Sequence, residues 1–318
     1  MKNIQREDIH IISRYSNLKE QGADRALKEN VYNDGKAWQK FLQLFFIALG
    51  VGFTVSGIVF FFAYNWADLH KFVKIGLVEG LVITTTVLVF LPKINVNIRR
   101  IILTGSTVLV GVLFAVFGQI YQTGANAYDF FLAWTVFVTL WVIVSDFAPL
   151  WLLYLVLINT TFVLYSQQVA KDWSEVFIFT LLFIINTVAF FTFFLISKRE
   201  KTLIIPNWFL NIVTLTSVCC ATIGIVIGIF DKYEVVFSIL ILITSVVFAL
   251  GIWYGLRAKS GFYLSVISFS LIIITSALLI KILDGEITYL LVGLFIIVSV
   301  TLVIRSLINI QKKWTNEK

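Results

Sequence analysis

Ten stretches of mostly apolar residues, each long enough to cross a lipid bilayer, occupy most of the chain from Phe41 to Leu307. A spanning helix needs about 20 apolar residues to cross a hydrocarbon core of roughly 30 Å. The stretches are too long for the strands of a membrane barrel and lack the alternating pattern of such strands. The chain is therefore predicted to be all-α, a polytopic transmembrane helix bundle. The predicted spans are 41–64, 75–91, 101–120, 127–144, 147–165, 176–196, 207–230, 235–256, 262–280 and 287–307.

The composition supports the same class independently. Hydrophobic residues make up 59% of the 318 residues and charged residues only 14%. A soluble domain of ordinary composition is far less apolar, and a water-soluble fold of this size has no means of hiding so much apolar surface. The lipid bilayer is therefore the one partner that the composition requires.

The basic residues lie almost entirely on one side of the predicted spans. If the N-terminus is cytoplasmic, 20 of the 25 Lys and Arg residues lie in cytoplasmic segments. Cytoplasmic loops of membrane proteins carry such an excess, so both termini are predicted to be cytoplasmic. The same excess explains the net charge of +7 without a nucleic-acid partner. The five exceptions are Lys71, Lys74, Lys171, Lys232 and Lys281.

The fourth and fifth predicted spans are the least regular pair. They are short, only Ser145 and Asp146 join them, and Pro149 follows closely. A re-entrant pair would also explain these features. With a re-entrant pair the chain would have eight spans. Both termini would stay on the same side, because an even number of spans is removed. Both ten and eight spans are compatible with the charge pattern.

The first 40 residues form a polar segment that precedes the spans. Its apolar residues recur at helical spacing on either side of Gly22, which is expected to interrupt the pattern, and a turn is expected at 33–35. Two short amphipathic helices are predicted, forming a cytoplasmic hairpin that rests on the membrane or on a protein partner. A solvated tether is the alternative. The chain thereby divides into a cytoplasmic segment 1–40, a five-span half 41–165, and a second five-span half with a short tail, 166–318.

Two polar segments lie at the predicted outer ends of the first four spans, one from Phe61 to Phe72 and the other from Phe117 to Asp129. Polar backbone at membrane depth is tolerated only when it is buried in protein or lines water, so the segments indicate a candidate outer-face polar site. The alternative is that these residues only cap helices and shape turns. The candidate residues are Glu79, Asn65, Asp68, His70, Gln119, Tyr121, Gln122 and Asp129.

The same two segments resemble a family of bacterial predicted membrane proteins, the domain of unknown function 2157. The resemblance covers roughly residues 1–165. It implies a location in the bacterial cytoplasmic membrane and a helical N-terminal piece, but it implies no activity and assigns no role to any residue. The residues that carry it are Tyr64-Asn65-Trp66 and Phe117-Gly118-Gln119-Ile120-Tyr121-Gln122-Thr123-Gly124.

Glu79 is a carboxylate within a predicted span, where a charged group is costly and is a functional candidate by default. One interpretation is a proton-carrying group on a transport path. The other is that Glu79 reaches the outer interface and pairs with a nearby cation, either Lys71, Lys74 or His70.

Small residues recur at helical spacing on several spans, a pattern that favours close helix packing. Asn159, Asn186 and Asn211 lie within or near spans and are predicted to hydrogen-bond between helices. The small-residue strips are Gly76, Gly80 and Thr84; Gly50, Thr54 and Gly57; Thr104, Thr107, Gly111, Ala115 and Gly118; and Thr214, Ser217, Ala221, Gly224 and Gly228.

Enzymatic signatures are scarce. The only two histidines, His10 and His70, are predicted on opposite faces of the membrane, and the adjacent Cys219 and Cys220 have no metal-ligand spacing. No phosphate-binding glycine loop or nucleophile elbow is present in the sequence. No catalytic residue, cofactor or metal is therefore assigned.

Three functions are compatible with these patterns. The leading hypothesis is a carrier or channel-like protein for a small solute, an ion or a lipid, with Glu79 and the outer polar loops on its path. The second is a non-catalytic scaffold or sensor that binds a protein partner through its N-terminal hairpin. The third is a membrane-embedded enzyme that uses Asp68, His70 and Glu79 at the outer face.

Overall fold

The computed structural model describes residues 9, 13, 20–30, 35–64, 67, 69–121, 124–199, 205–232, 234–283, 285 and 287–316. In this part of the chain all regular structure is helical. Two compact units are present, Met1–Tyr121 and Gln122–Lys318. The helices are α1 (Glu20–Asn30), α2 (Gly35–Tyr64), α3 (Lys71–Val89), α4 (Val96–Tyr121), α5 (Ala127–Ser145), α6 (Ala148–Gln168), α7 (Glu175–Arg199), α8 (Asn207–Phe230), α9 (Val235–Arg257), α10 (Gly261–Ile282) and α11 (Ile287–Asn316).

Each of the ten predicted spans falls on one helix, from α2 to α11. All ten of these helices are long and apolar enough to cross a membrane. The predicted all-α fold with about ten spans is therefore confirmed. The chain is a membrane protein built of apolar helices.

The fourth and fifth spans are two separate and uninterrupted helices. Helix α5 has 19 residues and α6 has 21, so each is about 30 Å long at 1.5 Å per residue and matches the hydrocarbon core. Asp146 joins them in the left-handed conformation, with φ of 46°. Pro149 lies in the first turn of α6, where a missing N–H costs no hydrogen bond. Both helices are therefore among the ten candidate spans.

The first unit consists of α1 to α4. Helix α3 presents Lys74, Val78 and Val82 as its buried side and packs on α4. Helix α4 also contacts α2 at Gly105, where an added Cβ would lie 2.6 Å from Val51 Cγ1. This close contact lies beside the predicted small-residue strip of α4, of which Thr107 is fully buried.

The predicted interruption of the N-terminal segment at Gly22 is wrong. Helix α1 passes through Gly22, since an isolated glycine costs a helix only about 1 kcal/mol. Gly35 is also helical, as the first residue of α2, and is not a turn residue. Ile9 and Leu27 are 3% and 4% exposed, so part of the segment's apolar surface is already covered within the chain. Of the expected turn, residues 33 and 34 lie outside the described residues.

The second unit contains α5 to α11, and its core lies where α8 packs against α7, α9 and α10. The strip on α8 that begins at Thr214 forms this seam. Ala221 is fully buried, and a Cβ at Gly224 would lie 2.9 Å from Phe179 Cβ. Hydroxyl pairs hold two of the interfaces, Thr187 with Ser217 at 2.7 Å and Thr222 with Ser270 at 2.6 Å.

Candidate functional site

His70 and Glu79 of the predicted outer-face site lie just before α3 and within it, and they are not close together. His70 is the residue that caps the start of the helix, and Glu79 is nine residues further along. Nine residues correspond to about 14 Å along the axis and to two and a half turns, so the two side chains leave opposite sides of the helix. His70 and Glu79 therefore do not pair with each other, and Asp68, the other carboxylate of the hypothetical outer-face enzyme, lies outside the described residues.

Glu79 is exposed, whereas Lys74 lies on the buried side of the same helix. Their positions differ by five residues, which places them about 140° apart around the axis. A methyl group at Gly76 or Gly80 beside Glu79 would meet no described atom within 4 Å. This strip, unlike the one on α8, is therefore open in the structure.

Gln119 and Tyr121 lie at the end of α4 and are exposed, and the Tyr121 ring lies 4.5 Å from that of Phe117. Helix α4 packs on α3, which begins at the same end of the unit with His70 just before it. These three candidate residues therefore share one end of the first unit. Asn65, Asp68 and Gln122 lie outside the described residues.

Asp129, in the second unit, has a local structural role. Its Oδ2 accepts the backbone N–H of Asn126 at 2.9 Å and so caps the first turn of α5. In the same turn the backbone N–H of Tyr128 donates to Gln168 Oε1 at 3.0 Å, which ties the start of α5 to the end of α6. For Asp129 the structure therefore favours the alternative of a helix cap.

A larger feature, which we name the α8–α10 groove, lies between α8, α9 and α10 and extends along α9 from its predicted outer end to beyond its middle. Its volume is about 680 Å³, within the range of ligand pockets in proteins. Apart from two charged and two hydroxyl residues, its lining is apolar or glycine. The lining residues are Ile225, Gly228, Ile229, Asp231, Phe237, Ile241, Thr244, Ser245, Phe248, Ala249, Ile252, Leu271, Ile274, Leu278 and Lys281.

Two opposite charges lie at one end of this groove. Asp231 follows the last residue of α8, and Lys281 lies in the last turn of α10. Both side chains are exposed. The Lys281 ammonium lies 5.9 Å from the centre of the Phe230 ring, and Asp231 Oδ1 accepts the backbone N–H of Lys232 at 2.7 Å. The end of the groove thus offers a cation and an anion from neighbouring helices.

Thr244 lines the groove at mid-height and is 3% exposed. Threonine in a spanning helix normally donates its hydroxyl to the carbonyl four residues earlier, as Thr54, Thr222 and Thr301 do here. Thr244 does not, and its Oγ1 is the one buried side-chain polar atom without a hydrogen-bond partner among the described residues. An unsatisfied buried polar group costs roughly 1–3 kcal/mol, so a natural partner for it is expected.

The ten apolar helices define the class, a polytopic all-α membrane protein. Residues 10–151 of the chain match the family described as Predicted membrane protein (DUF2157). The predicted resemblance of the N-terminal half is thereby confirmed. The matched segment contains both polar segments and ends at the start of α6, before the helices that form the groove. No curated protein and no solved structure matches the chain significantly.

The site predicted from the sequence contains none of the groove residues. The sequence gives a hint of Lys281 but not of Thr244. Lys281 is one of the five basic residues that depart from the positive-inside pattern, which is a hint of a special role. Thr244 is one hydroxyl among many in the spans, and nothing in its spacing distinguishes it. Only the packing of three helices shows that its hydroxyl is unpaired.

Proposed function

We propose that this protein is a lipid carrier of the bacterial cytoplasmic membrane and that it binds a zwitterionic phospholipid in the α8–α10 groove. The observation that supports the proposal is the combination of an apolar groove, a charge pair at its end and an unpaired hydroxyl at its mid-height. Of the small solutes, ions and lipids that the sequence allows, we propose a lipid as the ligand. Both termini are cytoplasmic in this proposal, with the Asp231 end facing outward.

The dimensions of the groove suit an acyl chain. Along α9 the lining extends from Phe237 to Ile252, which is about 22 Å at 1.5 Å per residue. One leaflet contributes about 15 Å to a hydrocarbon core of roughly 30 Å, so the groove is long enough for the chains of one lipid. The apolar walls of the groove would surround these chains in place of the neighbouring lipid tails.

The charge pair suits a phosphoethanolamine headgroup. The Lys281 ammonium would donate to the phosphate, and the Asp231 carboxylate would accept an N–H from the ethanolamine ammonium. A phosphocholine headgroup has the same net charge but no N–H to donate. The chemistry therefore favours phosphatidylethanolamine over phosphatidylcholine, since hydrogen bonds to charged groups are worth roughly 1.5–3 kcal/mol.

Thr244 supports movement of the lipid and not only its binding. It lies nine residues from the start of α9, about 14 Å along the axis and near the middle of the hydrocarbon core. At that depth a lipid headgroup has lost its water, and every polar partner lowers the cost of its passage. Rotation about the Cα–Cβ bond of Thr244 would turn the hydroxyl towards such a headgroup.

The test is the transbilayer movement of fluorescently labelled phosphatidylethanolamine in proteoliposomes. We expect Thr244→Val, Asp231→Asn and Lys281→Gln each to slow the movement about tenfold, because each removes one polar partner from the path. Thr301→Val and Lys232→Gln are matched controls, because Thr301 is exposed and bonds its own helix and Lys232 is exposed near the same end. The proposal fails if the wild-type rate equals that of protein-free vesicles, or if the control variants slow the movement as much.

Glu79 supports a second candidate function, a proton-coupled carrier for a small solute. An exposed carboxylate on a spanning helix with open glycines beside it is unusual enough to indicate a role. Glu79→Gln should then abolish the pH dependence of solute flux and leave lipid movement unchanged. A scaffold would instead lose its protein partner on deletion of residues 1–36 and be indifferent to Glu79→Gln.

A further inference from the structure

A second cavity lies towards the opposite ends of the helices that form the groove. It is lined by residues of α7, α8, α9 and α10, has a volume of about 160 Å³, and is apolar over nearly all of its wall. We name it the aromatic cavity. Its lining residues are Thr187, Phe190, Phe191, Phe194, Thr214, Ser217, Val218, Val247, Phe248, Leu250, Gly251, Trp253, Tyr254, Tyr263 and Ile267.

Four aromatic rings in the wall of this cavity contact one another in a closed cycle. Phe190 stacks on Phe194 at 5.7 Å, and Phe194 meets Tyr254 edge to face at 5.1 Å. Tyr254 contacts Tyr263 at 5.3 Å, and Tyr263 closes the cycle to Phe190 at 6.2 Å. Each ring pair adds roughly 0.5–1.5 kcal/mol beyond burial, so three helices are held around one preformed space.

Two cations lie against rings of the same wall. The Lys198 ammonium is 4.4 Å from the centre of the Phe194 ring and 5.8 Å from that of Tyr254, and the Arg257 guanidinium is 5.3 Å from the Trp253 ring. The described helix ends and turn nearby, 197–199 and 257–261, contain four basic residues and no acidic residue. The cavity end is therefore strongly positive, whereas the cavity itself is apolar.

Size and charge together indicate one class of ligand. An apolar protein cavity of about 150 Å³ stays dry and takes up benzene, so this space matches a single ring. A ligand that fills it and reaches Lys198 must carry a negative charge next to that ring. We infer that the aromatic cavity binds a small aromatic carboxylate, with its ring among Phe190, Phe194 and Tyr254 and its carboxylate at Lys198 and Arg257. Of their described lining residues the two sites share Phe248 alone, and they differ in ligand and in their end of the helices.

The experiment compares 4-fluorobenzoate with 4-fluorobenzylamine, which has a similar shape and the opposite charge. Fluorine NMR of the full-length protein in a neutral detergent measures the dissociation constant of each. Benzoate should bind saturably and at least tenfold more tightly than the amine. Lys198→Gln combined with Arg257→Gln should remove this preference, and Lys198→Arg should retain it. The matched control, Arg305→Gln with Lys312→Gln, removes the same charge from exposed positions of α11 and should leave the preference intact.

A second variant tests the location of the ring. Val247→Phe places an additional ring in the cavity and should abolish benzoate binding while the protein still moves labelled phosphatidylethanolamine. Equal binding of the two probes, benzoate binding that survives Val247→Phe, or an acyl chain that occupies the cavity and is not displaced by benzoate would each overturn the inference. None of these results bears on the lipid groove, whose variants at Thr244 and Lys281 test it separately.

Discussion

Asn159 and Asn186 exchange hydrogen bonds in both directions across the α6–α7 interface. Asn186 Nδ2 donates to Asn159 Oδ1 at 2.7 Å, and Asn159 Nδ2 donates to Asn186 Oδ1 at 3.2 Å. Each amide also donates to the carbonyl four residues earlier on its own helix. All four amide hydrogens of the pair are thereby used, which makes the pair a closed hydrogen-bonded link between two spans.

The pair predicts an asymmetry between single and double replacement. Asn159→Leu leaves Asn186, which is 1% exposed, with an unpaired carbonyl oxygen, so we expect a loss of about 1–2 kcal/mol in the free energy of unfolding. Replacement of both residues by Leu should cost less than Asn159→Leu alone. Reversible unfolding in mixed micelles of a denaturing detergent measures the three variants. If the free energy of unfolding falls in the double variant by the sum of the two single decreases, the amides do not interact.

Gly224 predicts a steric effect at the α7–α8 seam. A Cβ there would lie 2.9 Å from Phe179 Cβ, which cannot rotate away, so Gly224→Ala should cost about 1–3 kcal/mol of stability. Gly293→Ala on α11 is the control, because an added methyl meets no described atom within 4 Å. The control should be neutral or stabilise by up to about 1 kcal/mol, since alanine favours the helix. Thermal melting in detergent distinguishes the two, and similar melting temperatures for both variants would contradict the packing at Gly224.

Much of the fold was predictable from the sequence because the bilayer imposes a strong and simple pattern. The length of each apolar run determines a span, and the small residues on α8 at helical spacing mark the seam that the structure shows. The reciprocal pairing of Asn159 with Asn186 follows the same rule, because a polar group in a span requires a partner.

The candidate sites were harder to predict, for a physical reason. A site depends on which faces of separate helices meet, and hydropathy carries little information about helix rotation. Glu79 was conspicuous in the sequence, yet it faces away from the buried side of α3 that Lys74 and Val78 define. Thr244 was inconspicuous, and its distinction arises only where α8, α9 and α10 meet around it.

The predicted orientation can be tested by labelling single cysteines in intact cells. In a background with Cys219 and Cys220 replaced by alanine, Lys232→Cys should react with a membrane-impermeant maleimide without permeabilisation. Lys312→Cys should react only after permeabilisation, because the positive-inside pattern places the end of α11 in the cytoplasm. Both side chains are exposed, so accessibility within the protein does not bias the comparison. Labelling of Lys312→Cys from outside would reverse the proposed topology.

Phe248 connects the two cavities, because its side chain lines both the α8–α10 groove and the aromatic cavity and is only 5% exposed. Phe248→Ala should merge them and accelerate the movement of labelled phosphatidylethanolamine severalfold, because acyl chains could then extend from the groove into the aromatic cavity. The same change should cost up to about 3–5 kcal/mol of stability, as loss of a buried ring does.

Phe183→Ala is the matched control for Phe248→Ala. Phe183 is fully buried in the same core cluster and lines neither cavity, so its loss should lower stability to a similar extent without accelerating lipid movement. Lipid flux in proteoliposomes, measured beside detergent unfolding for both variants, separates the two effects. Acceleration by both variants would mean that looser packing alone admits the lipid, whereas acceleration by Phe248→Ala alone would identify this ring as the barrier between the groove and the aromatic cavity.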